Sequence, residues 1–336
     1  MAKFRLLFLC LPLMLPTLDF AQAGAAGLST ANLLSQPGPT FKVEDRQLPN
    51  PVTFIAYGDQ RFTDPTNIKS ANPKVREWLV RKVASEKPGA VILNGDVPLN
   101  GDMENDYANF VSETKPWRDA HLRVYPALGN HEFAGPDPKR SLEHWWENFP
   151  ELKDRRWYSV QLGSRIYVIA LDTDASLLPD SHQASWLEDQ IDHLPATVDF
   201  VILTMHHPPV ADIQKHIEVD HNPRPNEIAL RDYLSKAARK SHAQFLVSAG
   251  HIHNYERNIV EDVTYLVAGG GGAAPYFVER TPQDLYQSVL FPNFHYVKFT
   301  LERDHLHGAM YRIADPEAAK FEVELKDSFD ILAKPR

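Results

Sequence analysis

The sequence predicts an α/β fold with sheets as central layers and helices outside. Short β-branched runs such as "VTFIAYGD" (52–59) and "AVILNGD" (90–96) alternate with helical patterns, an order typical of βαβ units with largely parallel strands. Of the 336 residues, 43% are apolar and 24% are charged, which is ordinary for a globular protein. The C-terminal third is richer in strands and no internal repeat is visible, so we expect one mixed α/β domain.

The individual elements follow from local patterns. Asn72 and Pro73 resemble an N-cap followed by proline at the first helical position. The segment "WYSVQLGSRIYVIALD" (157–172) predicts a hairpin that turns at Gly163-Ser164. The other predicted helices are one with an apolar stripe of Val75, Leu79 and Val83, a polar one over 107–114, one marked by Leu187, Ile191 and Leu194, and one near 227–240. Further strands are predicted over 122–132, 198–207 and 243–253.

The first 23 residues have the pattern of a secretory signal peptide. Lys3 and Arg5 supply the positive start, residues 6–18 are apolar, and Ala21-Gln22-Ala23 is a small-x-small cleavage site. We therefore expect export to the periplasm or the cell exterior. Residues 24–50, rich in Ala, Ser, Pro and Gly, are expected to be a linker, and residues 51–336 a single domain.

Charge and cysteine content narrow the functional classes. The formal net charge of −9 argues against a nucleic-acid-binding surface, which normally carries a basic excess. Cys10 is the only cysteine and lies in the predicted signal peptide, so a metal in the mature chain must be held by His, Asp, Glu or Asn. No further apolar stretch is long enough for a membrane span, and we expect none in the mature chain.

Five predicted strands end on polar residues. The carboxyl ends of parallel strands meet at one edge of a sheet, where α/β proteins bind ligands. One such motif is ordinary in a turn, but five in succession predict a metal site built from oxygen and imidazole, a set suited to Zn, Mn or Fe. The five motifs are Gly58-Asp59, Gly95-Asp96, Gly129-Asn130-His131-Glu132, His206-His207 and Gly250-His251-Ile252-His253.

In this order the motifs resemble those of the calcineurin-like metallophosphoesterases. The stretch "GHIHNYER" (250–257) is similar to the purple acid phosphatase branch, and the resemblance covers about residues 51–300. It implies a four-layer α/β/β/α sandwich that holds two metal ions. The implied ligands are Asp96, Asn130, His206 and His251 for one ion, and Asp59, Asp96 and His253 for the other.

The resemblance also implies an activity. A metal-bound hydroxide would attack a small phosphate ester, and His131 would protonate the leaving oxygen. We expect monoesters to be the substrates. Two alternatives stay open: hydrolysis of phosphodiesters, including nucleotides or lipid head groups, and a non-catalytic protein that binds phosphate or metal.

Two positions depart from the family pattern. Arg61 in "GDQR" stands where most members have a histidine ligand, and Leu99 stands where the purple branch has a tyrosine. The site of Asp59 and His253 is therefore one ligand short, and no ferric purple colour is expected. Water or another histidine can fill the place, or one metal binds alone. Arg61 is expected to clamp the substrate phosphate, the alternative being an outward pair with Asp64.

The remaining candidates flank these motifs. We expect His207 to line the site and Asn254 to touch the substrate. The proline-rich segment 215–227 is expected to form a substrate lid, or to donate the absent ligand through His216 or His221. The glycine run in 268–276 opens no evident helix and is interpreted as a tight turn under the site, not a nucleotide loop.

Overall fold

The computed structural model describes residues 38–216 and 221–336, all of which fall in one structural unit. The predicted signal peptide (1–23) and most of the predicted linker lie outside the described residues. The strands are β1 Phe41–Val43, β2 Val52–Tyr57, β3 Ala90–Leu93, β4 Val124–Pro126, β5 Tyr158–Leu162, β6 Ile166–Ala170, β7 Phe200–Met205, β8 Gln244–Ala249, β9 Tyr255–Val260, β10 Val263–Ala268, β11 His295–Glu302, β12 His305–Ile313 and β13 Val323–Leu332. The α-helices are α1 Pro73–Glu86, α2 Glu104–Glu113, α3 Lys115–Asp119, α4 Pro138–Asn148, α5 His182–Asp192 and α6 Pro225–Lys240.

The strands form two sheets, which we call sheet A and sheet B. Sheet A has seven strands in the order β1-β5-β6-β7-β8-β10-β9, and β6, β7, β8 and β10 run parallel to one another. Sheet B has six strands in the order β13-β12-β11-β2-β3-β4, in which β2, β3 and β4 are parallel and β11, β12 and β13 extend the sheet antiparallel. The strand-rich C-terminal third thus completes sheet B.

Side-chain alternation along β7 shows how the layers stack. Phe200 and Ile202 point into a core shared with β2 and β3 of sheet B, whereas Val201, Leu203 and Met205 point to the opposite face. That opposite face packs against α5 and α6, while α1, α3 and α4 contribute to the core on the side of sheet B. Successive residues of a strand face opposite ways, so a strand buried on both faces is apolar throughout. The arrangement is the expected four-layer α/β/β/α sandwich.

Local predictions for α1 and for the first hairpin are confirmed. The Asn72 side chain accepts a hydrogen bond from the Val75 amide at 3.2 Å, and Pro73 is the first residue of α1. The helix ends at Glu86, and Lys87 caps it in the left-handed conformation, with a φ of +48°. Strands β5 and β6 pair antiparallel on either side of Gly163, as predicted.

Three boundaries differ from the sequence prediction. Phe41–Val43 form an edge strand parallel to β5, so this part of the predicted linker 24–50 is folded into sheet A. Helix α2 begins at Glu104, three residues before the predicted start, and α5 ends before Leu194. In the described part of the chain no helix is long and apolar enough to cross a membrane.

Candidate metal centre

The five predicted motifs come together at the carboxyl ends of strands from both sheets. Asp59, Asp96 and Asn130 follow β2, β3 and β4 of sheet B, whereas His206 and His251 follow β7 and β8 of sheet A. The expectation of a single sheet edge is therefore corrected. The motifs lie on two sheets that face each other, and the site is formed between them.

Four donor atoms converge in what we call the first group, around Nε2 of His206. Nε2 lies 3.0 Å from Asn130 Oδ1, 3.2 Å from Asp96 Oδ1 and 3.3 Å from His251 Nδ1. These four residues are those that the family resemblance assigns to one metal ion. His207 adds a further imidazole, since ligand atoms of His206, His207 and His251 all lie within 4.8 Å of one another.

A second group consists of Asp59, Asp96 and His253, whose ligand atoms also lie within 4.8 Å of one another. Nε2 of His253 lies 3.3 Å from Asp59 Oδ1, and all three side chains are buried. Asp96 belongs to both groups, as expected of a ligand shared by two cations. Within the described residues the second group comprises three candidate ligands, and the expectation that its site is one ligand short stays a prediction.

The imidazoles are oriented for metal binding. His206 Nδ1 lies 3.0 Å from the Asn94 carbonyl oxygen, and His253 Nδ1 bonds the Ala274 carbonyl oxygen. A carbonyl oxygen accepts a hydrogen bond from a protonated Nδ1, which leaves the lone pair on Nε2 for a metal. Among the residues that the structure describes, none forms a hydrogen bond with the buried Nε2 atom of His253. Such an orphaned atom among carboxylates fits a bound cation, so the residues present suit the metal centre that the family implies.

Three of the candidate ligands have unusual backbone conformations. Asp59, Asp96 and His251 have φ values of +62°, +56° and +71°, in the left-handed region that non-glycine residues seldom occupy. Gly95, at φ +84°, also leaves room for His206, because a Cβ there would lie 2.8 Å from Nδ1 of that histidine. The strained turns aim three ligands inward, and strain of this kind is common at functional sites.

Glu132, to which the sequence motif alone assigned no role, holds the loops after β3 and β4 together. Its carboxylate accepts hydrogen bonds from the amides of Asp96 at 3.0 Å, Val97 at 2.8 Å and Gly129 at 2.7 Å. Burial and the charge of Asp96 raise the pKa of Glu132 to about 8, and the amide donors oppose this rise. Glu132 thus fixes the loops after β3 and β4 relative to each other.

Asn94 is a second residue that sequence reasoning overlooked. Its side chain donates to Ser248 Oγ at 3.0 Å and accepts from Thr204 Oγ1 at 3.0 Å. These contacts join β3 of sheet B to β7 and β8 of sheet A. The sequence contained one indication of this role. Asn94 directly follows the apolar run 90–93, and a buried side-chain amide needs hydrogen-bond partners.

Asp96 and His206 shift each other's pKa values in the first group. Burial alone would raise the pKa of Asp96, but His206, His131 and Arg61 hold it well below its usual value. Burial lowers the pKa of His206, yet Asp96 and Asp59 outweigh it and raise that pKa to about 10. Burial, together with His206 and His207, lowers the pKa of His251, which favours the neutral imidazole that a metal requires.

Arg61 points inward. Its Nη2 and Nε atoms lie 3.2 and 3.4 Å from Asp96 Oδ2, while Asp64 accepts hydrogen bonds from Thr66. The alternative of an outward pair with Asp64 is therefore not what the structure contains. The carbonyl oxygen of Arg61 accepts from Arg76 Nη1 at 2.8 Å, which secures the backbone at this position.

His131 lies beside the same carboxylate. Its amide donates to Asp96 Oδ1 at 3.0 Å, its Nδ1 bonds the Leu99 carbonyl oxygen, and its Nε2 lies 3.9 Å from Asp96 Oδ2. Burial lowers the pKa of His131, with Arg61 adding to the effect and Asp96 opposing it. Leu99, at the position of the tyrosine in the purple branch, contributes its backbone carbonyl oxygen to this contact.

The structure brings His207 and His221 to the site but not His216. The His207 ring lies 4.3 Å from that of His251, and Nδ1 of His221 lies 3.1 Å from His251 Nε2. Both line a cavity of about 170 Å³ beside the first group. His216 instead pairs with Glu279 at 3.1 Å with its side chain 83% exposed, and within the described residues it bonds none of the other predicted site residues.

Asn254 corrects another expectation. Its amide nitrogen donates to the Tyr276 carbonyl oxygen at 2.7 Å, and its oxygen accepts from Arg280 at 2.9 Å and from Asn293 at 3.0 Å. A buried side chain with these partners has little left to offer a substrate. Asn254 therefore fixes the loop that carries His253.

The family can now be identified. A model of the calcineurin-like phosphoesterases matches residues 49–255, more than half of the chain. The chain belongs to the calcineurin-like phosphoesterases, a class of metal-dependent phosphoric ester hydrolases. The family and the fold expected from the motifs are both confirmed.

Solved structures show the same fold. The chain is similar to the purple acid phosphatase PPD1 of yellow lupin, with 16% identity and a TM-score of 0.64 over 84% of this chain and 54% of that one. It also resembles the inner-membrane-complex anchor GAP50 of Plasmodium, with 13% identity and a TM-score of 0.60 over 85% of this chain and 90% of that one. A dimetal phosphatase of Danio rerio is similar as well, with 13% identity and a TM-score of 0.55 over 88% of this chain and 100% of that one. This chain spans about half the length of the lupin protein. No curated protein matched it.

Proposed function

We propose that this protein is an exported phosphoesterase that uses two metal ions to hydrolyse small phosphate monoesters. The observation that carries the proposal is the convergence of Asn130, Asp96 and His251 within 3.0–3.3 Å of His206 Nε2, next to the second group that shares Asp96. Two adjacent sites of this composition suit Fe, Mn or Zn. The residues of the two groups would hold the cations, which would supply an activated water molecule and would offset the charge of the phosphate.

In this proposal, residues of the chain bind the phosphate of the ester and give a proton to the leaving oxygen. Arg61 offers a planar fork of N–H donors to a phosphate oxygen, beside the carboxylate that both groups share. His131 is held through Nδ1 by the Leu99 carbonyl oxygen, so its Nε2 is the atom that gives a proton to the leaving oxygen. The cavity lined by His207 and His221 is the proposed place for the alcohol part of the ester.

The preference for monoesters rests on charge. A monoester phosphate carries two negative charges near neutral pH and a diester carries one. Arg61 is 13% exposed and adds a positive charge beside the metal groups, which favours the more highly charged ester. The likeness of "GHIHNYER" to the purple acid branch supports the same preference. Greater turnover of diesters than of monoesters with the same aryl leaving group would favour the phosphodiesterase alternative.

One observation favours a non-catalytic rival. Arg61 stands where a ligand is expected, and its guanidinium is paired with Asp96, a shared ligand of the two groups. A protein with a weakened second site would bind phosphate or one metal without turnover. The retention of Asn130, His131, His206, His251 and His253 argues for the enzyme.

Metal content and turnover measured on the same sample decide between these candidates. The mature protein is purified without chelator, its metals are counted by elemental mass spectrometry, and p-nitrophenyl phosphate is compared with bis(p-nitrophenyl) phosphate. Two metals per chain with faster monoester turnover are expected. Asp96→Asn should lose metal and activity, whereas Asp119→Asn, on the exposed surface, should lose neither. One metal or none, with no turnover of either ester, would favour the rival.

Export is proposed from the N-terminal pattern alone. Residues 1–23 have the charged start, apolar segment and cleavage site of a signal peptide. N-terminal sequencing of the protein from its native cells should begin at Gly24. A chain that still begins at Met1 would refute the proposal.

A further inference from the structure

A short segment after the glycine run lies against both loops of the second group. The amide of Ala273 donates to the Asp59 carbonyl oxygen at 2.9 Å, and the amide of Tyr276 donates to the His253 carbonyl oxygen at 3.3 Å. The carbonyl oxygen of Ala274 bonds Nδ1 of His253. The backbone of 273–276 is therefore fixed relative to Asp59 and His253, and so is the point from which the Tyr276 side chain projects.

The ring of Tyr276 stacks on two imidazoles. Its centroid lies 4.1 Å from that of His253 with 14° between the planes, and 5.0 Å from that of His221 with 28° between the planes. Stacking at these distances restricts rotation of the rings. The imidazole of His253 thus has its Nδ1 bonded to a carbonyl oxygen and one face against an aromatic ring.

His221 in turn contacts the other histidine of the 250–253 motif. Its Nδ1 lies 3.1 Å from Nε2 of His251, while Nδ1 of His251 faces His206 Nε2 at 3.3 Å. In the tautomer of His251 that has its proton on Nε2, this atom donates a hydrogen bond to Nδ1 of His221, and the lone pair lies on Nδ1, the side of the first group. The contact with His221 is thus compatible with metal binding through Nδ1 of His251.

We propose that Tyr276 and His221 form a clasp that positions His251 and His253 for metal binding. Tyr276 is a positioning residue for the second group and His221 for the first. A fixed imidazole loses less conformational freedom when it binds a metal, and outer partners of metal ligands contribute to affinity for this reason. The clasp also ties the loop that contains His221 to the metal centre. The inference rests on the proposed function only in taking His251 and His253 as metal ligands.

Titration of the metal-free full chain with Mn²⁺ alone, followed by calorimetry, tests the clasp. Tyr276→Leu removes the ring and should weaken Mn²⁺ binding about tenfold or more, the range typical of lost outer partners. Tyr276→Phe keeps the ring without the hydroxyl and should bind Mn²⁺ like the wild type. Mn²⁺ binding by Tyr276→Leu at wild-type affinity would overturn the proposal, as would an equal loss in Tyr276→Phe.

A second variant guards against a folding defect. His221 is half-buried, and His221→Ala should weaken Mn²⁺ binding while the metal-free protein melts at the wild-type temperature. Unchanged Mn²⁺ affinity in His221→Ala would refute its part in the clasp. The titration requires no turnover, so an absence of esterase activity would count against the proposed function and not against the clasp.

Discussion

Arg61 and Asp96 form an ion pair inside the candidate metal centre, with Nη2 of Arg61 3.2 Å from Oδ2 of Asp96. Asp96 is fully buried, and its other oxygen faces His206 at 3.2 Å. One carboxylate therefore lies between the group of Asn130, His206 and His251 and the guanidinium proposed to bind substrate. The proposed metal site and the proposed phosphate site therefore share this side chain.

The first prediction concerns phosphate binding. Arg61→Ala should raise the KM for an aryl monoester and weaken inhibition by inorganic phosphate by about tenfold or more, because a hydrogen bond to a charged group contributes about 1.5–3 kcal/mol. Arg231→Ala, which removes a surface pair with Asp232, is the matched control and should change neither constant. A rise in metal affinity with unchanged phosphate inhibition would mean that Arg61 competes with the metal and does not bind substrate.

The second prediction concerns proton donation. His131→Ala should retain its metals, because His131 is not among the proposed ligands, and should lose about 10²–10⁴-fold in kcat. The loss should be larger for alkyl esters than for nitrophenyl esters, whose leaving groups need less protonation. His193→Ala, at an exposed histidine paired with Asp189, should behave as the wild type. Equal losses across leaving groups would exclude the role of acid.

The third prediction concerns a buried arginine that supports the Arg61 loop. Arg76 is 1% exposed, bonds Glu113 at 2.8 Å through Nε, and donates to the carbonyl oxygens of Arg61 and Thr63. Arg76→Ala leaves buried acceptors unpaired and should lower the free energy of unfolding by about 3 kcal/mol. Urea denaturation measures the loss.

Arg81 provides the control for this prediction on the same helix. Its ion pair with Glu77 has both side chains 53% exposed, and exposed pairs contribute little. Arg81→Ala should cost less than about 0.5 kcal/mol. Similar losses in the two variants would show that the buried contacts of Arg76 add nothing to stability.

The fourth prediction concerns pH. Burial and the charge of Asp212 raise the pKa of Glu256 from 4.5 to about 8. The folded state therefore holds a proton on Glu256 that the unfolded state releases. The resulting stability is fully present below pH 4.5 and is lost as the pH rises towards 8. Wild-type unfolding free energy should thus fall over this interval.

Glu256→Gln tests that assignment. Gln is nearly isosteric and keeps an acceptor for the Asp212 amide, which donates to Glu256 Oε2 at 2.7 Å. The variant should match the wild type near pH 5 and exceed it at pH 8, by an amount on the order of a few kcal/mol. Denaturation curves at the two pH values measure this. The same pH dependence in both proteins would mean that Glu256 is ionised in the folded state.

The sequence by itself determined the elements and the candidate ligands. The N-cap at Asn72, the hairpin at Gly163 and the apolar strands are local patterns, and a few neighbouring residues suffice to specify them. The polar motifs at the strand ends were sufficient to predict the family. The burial of Arg76 is also indicated by the sequence. Position 76 lies on the same helix face as Leu79 and Val83, and a charged residue on a buried face needs a partner.

Only the tertiary structure decided how these pieces meet. It placed the motifs on two facing sheets, paired Arg61 with Asp96 and not Asp64, and brought His221 but not His216 to the site. The roles of Asn94 and Tyr276 likewise appeared only there. The physical reason is distance along the chain: Asn94 meets Ser248 across 154 positions, and His251 meets Asp59 across 192. Such contacts depend on how the sheets pack, and no local pattern in the sequence encodes that packing.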